Sequence, residues 1–251
     1  MLSKNQEKLI TSLSKKKFRD KTGLFLAESP KLVSDLIESD IKPYLIIADK
    51  SWQPPDNYKF DTEPIIVNEK VLKKLSLLKT PQNVIALFYQ PQKNSINTFT
   101  DSLILGLDGI QDPGNFGTIL RIADWFGINE IVCSIDTVDL YNPKVIQASM
   151  GSIARVNVQY TNLEEFCTDY LKSGNIIYGT FMKGDNIYST KLKQKGLIIL
   201  GNEGNGIRPE IEKKITCKIS IPSFSTNKFS SQSLNVSIAA AIVCSEFKKS
   251  S

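Results

Sequence analysis

From residue 102 to 247 the sequence alternates short apolar runs with amphipathic stretches, and no other feature restricts the possible folds as tightly. SLILGLD (102–108), EIVCS (130–134), ARVNVQY (154–160), NIIYGTF (175–181), GLIILG (196–201) and KISIP (218–222) read as strands. Helices are predicted over 116–126, near 143–150, and over 163–171, 208–213 and 236–247. Apolar strands separated by helices predict an α/β fold with a mostly parallel sheet covered on both faces. In such sheets, sites are built from the loops at strand ends.

The first ninety or so residues form a smaller unit of the same kind. A helical pattern with Leu9, Ile10 and Leu13 leads into a strand at GLFLAE (23–28), and Ser29 followed by Pro30 marks a helix start with the serine as cap. Strands at 44–49, 64–68 and 83–89 and a helix near 70–78 complete it. The polar stretch QPQKNSINTFT (90–100) has the composition of a linker, which predicts two domains, residues 1–95 and 96–251.

Composition removes several chemistries. The chain has no histidine, so neither an imidazole base nor a Ser-His-Asp arrangement is available. Cys133, Cys167, Cys217 and Cys244 are widely spaced with no CxxC, so a metal site is not expected and four reduced, mostly buried thiols are. The N-terminal residues lack a signal-type apolar core, and no segment reaches the length of a membrane span; a cytoplasmic protein is expected. The net charge is +5, with Lys15, Lys16, Lys17, Arg19 and Lys21 crowded together, which suits a polyanion or simply a solvated helix face.

Three loops carry candidate chemistry. In NFGTILR, Asn115 occupies a helix N-cap position and Arg121 follows Gly117 by four, so its guanidinium leans back over bare backbone toward the loop mouth. Taken alone, this is also an ordinary capped helix with a surface arginine. In GNEGNG (201–206) the glycine spacing fits neither a P-loop nor a dinucleotide fingerprint; the loop offers backbone groups, Asn202 and the carboxylate of Glu203. In SQSLNVSIAAAIVC, Ser233 and Asn235 precede a helix apolar nearly all round, which requires burial in the domain or in a subunit interface.

In this order, the three stretches resemble the signature motifs of the SpoU-type (TrmH family) RNA 2′-O-ribose methyltransferases of the SPOUT superfamily. Asn115, Gly117 and Arg121 match the first, Gly201, Asn202, Glu203, Gly204 and Gly206 the second, and Ile221, Pro222, Ser233, Leu234, Asn235, Val236 and Ser237 the third. The segment 10–89, with FLAESPKLV and LLKTPQNVIALF, is similar to the ribosomal-protein-like substrate-binding domain found in many members. The resemblance implies a sheet whose C-terminal part is tied in a trefoil knot, and S-adenosylmethionine held by backbone groups at Gly201, Ile221 and Leu234, with Thr180 a further candidate. It also implies a homodimer acting on RNA, with ribosomal RNA favoured, transfer RNA second, and a catalytically silent RNA-binding assembly factor as the alternative.

Members usually assign the arginine as general base. A guanidinium is effectively always protonated, so Arg121 reads better as a stabiliser of the developing alkoxide or a nearby phosphate, with Asn115, Glu203, Ser233 and Asn235 orienting it and the ribose. Two departures from the family pattern stand out: ESPK replaces the usual acidic-glycine pair, and SFSTNKFSSQ (223–232) is longer than usual and lacks the customary glycine.

Overall fold

The computed structural model describes residues 2–249 except 57, 60, 62, 93–94, 97–100 and 226–232. The chain begins with α1 (Lys4–Ser12), α2 (Lys16–Thr22), β1 (Leu24–Glu28), α3 (Pro30–Glu38), β2 (Pro43–Ala48), β3 (Ile65–Ile66), α4 (Glu69–Leu75) and β4 (Val84–Tyr89). It continues with β5 (Leu103–Asp108), α5 (Pro113–Trp125), β6 (Glu130–Ser134), α6 (Pro143–Ser149), β7 (Asn157–Thr161), α7 (Leu163–Lys172) and β8 (Ile177–Asn186). β9 (Gly196–Gly201), α8 (Pro209–Glu212), β10 (Cys217–Ser220) and α9 (Val236–Lys249) complete it. Two compact units result: Met1–Gln92 with Asp139–Arg155, and Lys93–Val138 with Val156–Ser251.

In the first unit a four-stranded sheet has the order β1-β4-β2-β3, with β4 antiparallel to both neighbours and β3 parallel to β2. Ile10 and Leu13 pack with Leu24, Ile47, Leu72 and Ile85 in its core, so the helical pattern at the start of the chain is a core face. α6 packs on β1, and Tyr141 lies against Phe25 with ring centroids 5.1 Å apart.

Two expectations for this unit are corrected. Arg19, counted with the basic stretch, is 2% exposed: its Nε and Nη2 donate to Asp139 Oδ2 at 3.0 and 2.7 Å and its Nη1 to the Leu13 carbonyl at 2.7 Å. A buried charge requires such a full set of partners. Ser29 makes no capping bond with its side chain. It sits at φ +99°, a backbone setting that glycine adopts without cost, so the ESPK departure places serine where the family's glycine belongs.

The second unit has a six-stranded sheet in the order β10-β8-β9-β5-β6-β7, all neighbours parallel. Ile104, Val132, Ile177, Leu197 and Ile199 face Phe166 and Tyr170 of α7 and Ile211 of α8. Side chains alternate across a strand. Tyr178 therefore points to the opposite face, where Phe247 of α9 meets it edge-on at 4.8 Å. α5 packs against α9. The sheet is covered on both sides, as the sequence predicts.

Here too there are differences. Residues 152–154 form a 3₁₀ turn, so β7 starts at Asn157 instead of 154. β8 runs on to Asn186 after a register break: Gly179 pairs with Lys218, but Ile219 pairs with Asp185. α9 buries Ser237, Ala240, Val243, Cys244 and Phe247, while Ile238 remains 52% exposed, so the helix is buried on one face and not all round. Among the described residues no helix is long and apolar enough to cross a membrane.

Candidate active site

β5 and β9 are in-register neighbours, with Asp108 opposite Gly201, so the loops that follow them leave the sheet side by side. The first leads into α5, which starts earlier than predicted. Asp112 is its N-cap, Pro113 opens the helix, and the Asn115 N–H donates to Asp112 Oδ1 at 2.8 Å. Aspartate caps as well as asparagine and proline suits the first helical position, so the Asp-Pro pair outranks Asn115 as a helix start. Released from capping, the Asn115 side chain is free to bond beyond its own helix.

That side chain joins the three motifs. Its Nδ2 donates to Glu203 Oε1 at 2.9 Å, and its Oδ1 accepts from Asn235 Nδ2 at 2.9 Å. Asn235 Oδ1 in turn accepts from Ser237 N (2.9 Å) and Ser237 Oγ (2.6 Å), capping the first turn of α9. Glu203 also lies 3.4 Å from the N–H groups of Gln111 and Asp112, placing a carboxylate at the positive end of α5. Residues 88 and 120 positions apart thus form one chain of directional bonds.

The loop bearing Glu203 is closed on itself. Asn202 and Gly206 exchange backbone bonds at 3.0 and 2.9 Å. Asn202 Oδ1 accepts from the N–H groups of Gly204 and Asn205, and its Nδ2 donates to the Gly109 carbonyl at 2.6 Å. Those N–H groups are engaged internally, so the loop is no phosphate cradle, in keeping with its glycine spacing. A Cβ on Gly201 would lie 2.4 Å from the backbone of Gly206 and Ile207, so only glycine permits this return. Beneath the loop, Asp108 and Arg208 form an ion pair whose carboxylate is fully buried. Neither residue stands out in sequence by spacing or composition.

Arg121 is exposed and is not bonded to this network. It lies six residues beyond Asn115, about 240° around the helix, so it shares the Gly117 face instead. Ser233 is exposed and lies just beyond the undescribed stretch 226–232. Of the cofactor candidates, Thr180 lies in β8 just past its pairing with β9, Gly201 is the last residue of β9 and Ile221 follows β10, on adjoining strands that run in the same direction. The Thr180 hydroxyl donates to the Ile199 carbonyl at 3.1 Å, and Leu234 is 50% exposed. S-adenosylmethionine carries a neutral adenine and a sulfonium and has no phosphate. Strand-end backbone, a hydroxyl and small or apolar side chains fit such a group, as an N–H nest would not.

The thiols take no part. None of the four is joined in a disulfide, three are buried, and burial pushes the Cys167 and Cys244 thiols up to about 12. Among the described residues no cluster could hold a metal ion.

Both units of the chain match known protein families. A model of the SpoU rRNA Methylase family matches residues 102–245, and one of the MRM3-like substrate binding domain matches residues 4–86. The chain is 29% identical over 244 residues to the 23S rRNA (guanosine(2553)-2′-O)-methyltransferase RlmP of Bacillus subtilis, covering 96% of this chain and 95% of that one. A solved TrmH-family protein from Porphyromonas gingivalis superposes with TM-score 0.89 at 36% identity, each chain covered in full. The AdoMet-bound rRNA methyltransferase from Sinorhizobium meliloti gives 0.83 at 25% identity, covering 100% of this chain and 96% of that one. Family model, full-length structural match and sheet order agree: the chain belongs to the SpoU rRNA methylase family, S-adenosylmethionine-dependent RNA methyltransferases with a SPOUT-type α/β fold.

Proposed function

We propose that the chain methylates a ribose 2′-hydroxyl of 23S ribosomal RNA. The observation that carries this reading is the bonded series Glu203–Asn115–Asn235, which gathers the three motif loops at one place. Likeness to RlmP along nearly the whole chain favours ribosomal over transfer RNA. A silent RNA binder has no use for so complete a set of polar contacts.

The donor supplies a methyl group on a sulfonium, an electrophile that needs no metal. Thr180, Gly201, Ile221 and Leu234 would hold it, chiefly through backbone. Asn115 and Asn235 fix the position of the Glu203 carboxylate, which orients the ribose, while Arg121 approaches from the Gly117 face of α5. Arg121 remains protonated and stabilises the oxygen as negative charge develops on it. Ser233 adds a hydroxyl to the same group of contacts.

Residues 1–95, with 139–155 packed into the same unit, serve as the RNA-selecting domain and the remainder of 96–251 as the methyltransferase domain. In the former, Lys15, Lys17, Lys21 and Lys79 are the exposed phosphate contacts, whereas Lys73 and Lys74 are paired with Glu69 and Glu7. A homodimer is supported by Trp125, Leu234 and Ile238, which leave apolar side chains 84%, 50% and 52% exposed in the second unit. The knot expected of the superfamily belongs to this reading, as does a cytoplasmic location.

Unmodified total RNA incubated with tritiated S-adenosylmethionine and then digested with nuclease tests the proposal. Label in a 2′-O-methylated nucleotide of large-subunit RNA is expected; label on a base, or in transfer RNA alone, rejects it.

A further inference from the structure

The Glu203 loop is tied to the sheet at both of its ends, and both ties land on consecutive residues of one strand end. Asn202 Nδ2 donates to the Gly109 carbonyl at 2.6 Å. One residue earlier, Asp108 accepts the Arg208 backbone N–H on Oδ2 at 2.8 Å and the Arg208 Nε on Oδ1 at 2.7 Å, with Nη2 in ion-pair contact 2.5 Å from the same oxygen. Asp108 is also the in-register partner of Gly201, so the clamp is referenced to the same rung of the sheet from which the loop departs. Its side chain is 0% exposed, and every hydrogen bond it accepts here comes from Arg208. Arg208 reaches outward as well, to Asp136 at 3.4 Å. A planar guanidinium held on one carboxylate oxygen by two nitrogens has a fixed orientation, which a lysine ammonium does not reproduce.

Resting on the role of Glu203 given above, we propose that Asp108 and Arg208 are a positioning pair: they hold the 202–207 loop so that the Glu203 carboxylate meets Asn115. Neither touches substrate. Their action passes through Glu203, which makes it separable from a merely structural one.

The test is a double-mutant cycle in the full-length protein, crossing Arg208→Lys with Glu203→Ala, read by steady-state methylation of RNA and by hydrogen exchange over 202–208. Arg208→Lys keeps the charge and the backbone donor and removes the fork. It is expected to lower kcat by ~10-fold or more while KM for RNA stays within ~2-fold, since small misplacements are felt mainly in the chemical step. Exchange at Gly204 and Asn205 should accelerate while β5 and α5 keep their protection. In the Glu203→Ala background the same substitution should cost under ~2-fold, the non-additivity of residues that act in series. An unchanged kcat, or an equal loss in both backgrounds, overturns the proposal. Where Glu203→Ala leaves too little activity to measure, unchanged exchange at 204 and 205 overturns it and local acceleration supports it. Should Arg208→Lys fail to fold, Asp108→Asn, which keeps shape and loses charge, takes its place in the cycle, and the same results support or overturn the pair. A wild-type protein that methylates no RNA refutes the proposed function instead, and the exchange comparison still tests the clamp.

Discussion

The second unit concentrates its polar groups at one end of a sheet, where Glu203, Asn115 and Asn235 each have a bonding partner at 2.9 Å. The first unit spreads its charges over helix surfaces, where Lys16, Lys73 and Lys74 pair with acids on exposed faces and Arg19 turns inward to Asp139. Directional bonds between distant residues make a rigid arrangement that can be aimed at a reacting atom. Exposed ion pairs are screened and interchangeable, and the exposed Lys15, Lys17, Lys21 and Lys79 beside them are the cations that would meet a backbone of uniform charge.

Substitutions sharpen or break this contrast. The largest effect is expected at Arg121: Arg121→Ala should lower turnover by ~10²- to 10³-fold while donor and RNA binding change little, measured by single-turnover methylation beside calorimetry. A loss confined to RNA affinity would move Arg121 to the gripping surface. Arg19→Ala should destabilise the protein by about 3 kcal/mol in urea unfolding, because it strands Asp139, whose side chain is only 16% exposed. An unaltered unfolding midpoint would return Arg19 to the basic surface. Ser29→Gly should raise stability by about 1 kcal/mol by relieving the left-handed backbone at φ +99°. Smallest of all, Lys17→Ala and Lys21→Ala should each leave stability within ~0.5 kcal/mol and reduce the salt dependence of RNA binding by about one unit of slope. If turnover falls with them, the division of labour between the units is wrong.

Local patterns made most of the fold legible. EIVCS and GLIILG become β6 and β9 with the predicted bounds, because a buried strand needs a short apolar run and nothing else nearby resembles one. β8 outruns its prediction since residues 182–186 are exposed and carry no apolar period. That α9 needs cover from its own domain or from a subunit interface was legible; which flank, the one bearing Ile238, a single chain leaves exposed was not, because composition does not say which side of a helix has a neighbour. The motif residues were recognisable in the sequence, but their connection was not. Assigning Asn115 to the cap concealed the amide that links the other two motifs, and the Asp108–Arg208 pair spans 100 positions with no local trace.

The first unit is not one continuous piece of chain, and that limits how such a protein can be rearranged. Residues 139–155 leave between β6 and β7 to complete it, so the backbone passes between units at 92–93, 138–139 and 155–156. A transplant of the first ninety residues onto a foreign methylase would therefore arrive without α6, and with Arg19 deprived of its carboxylate. Any functional chimera has to exchange both pieces together.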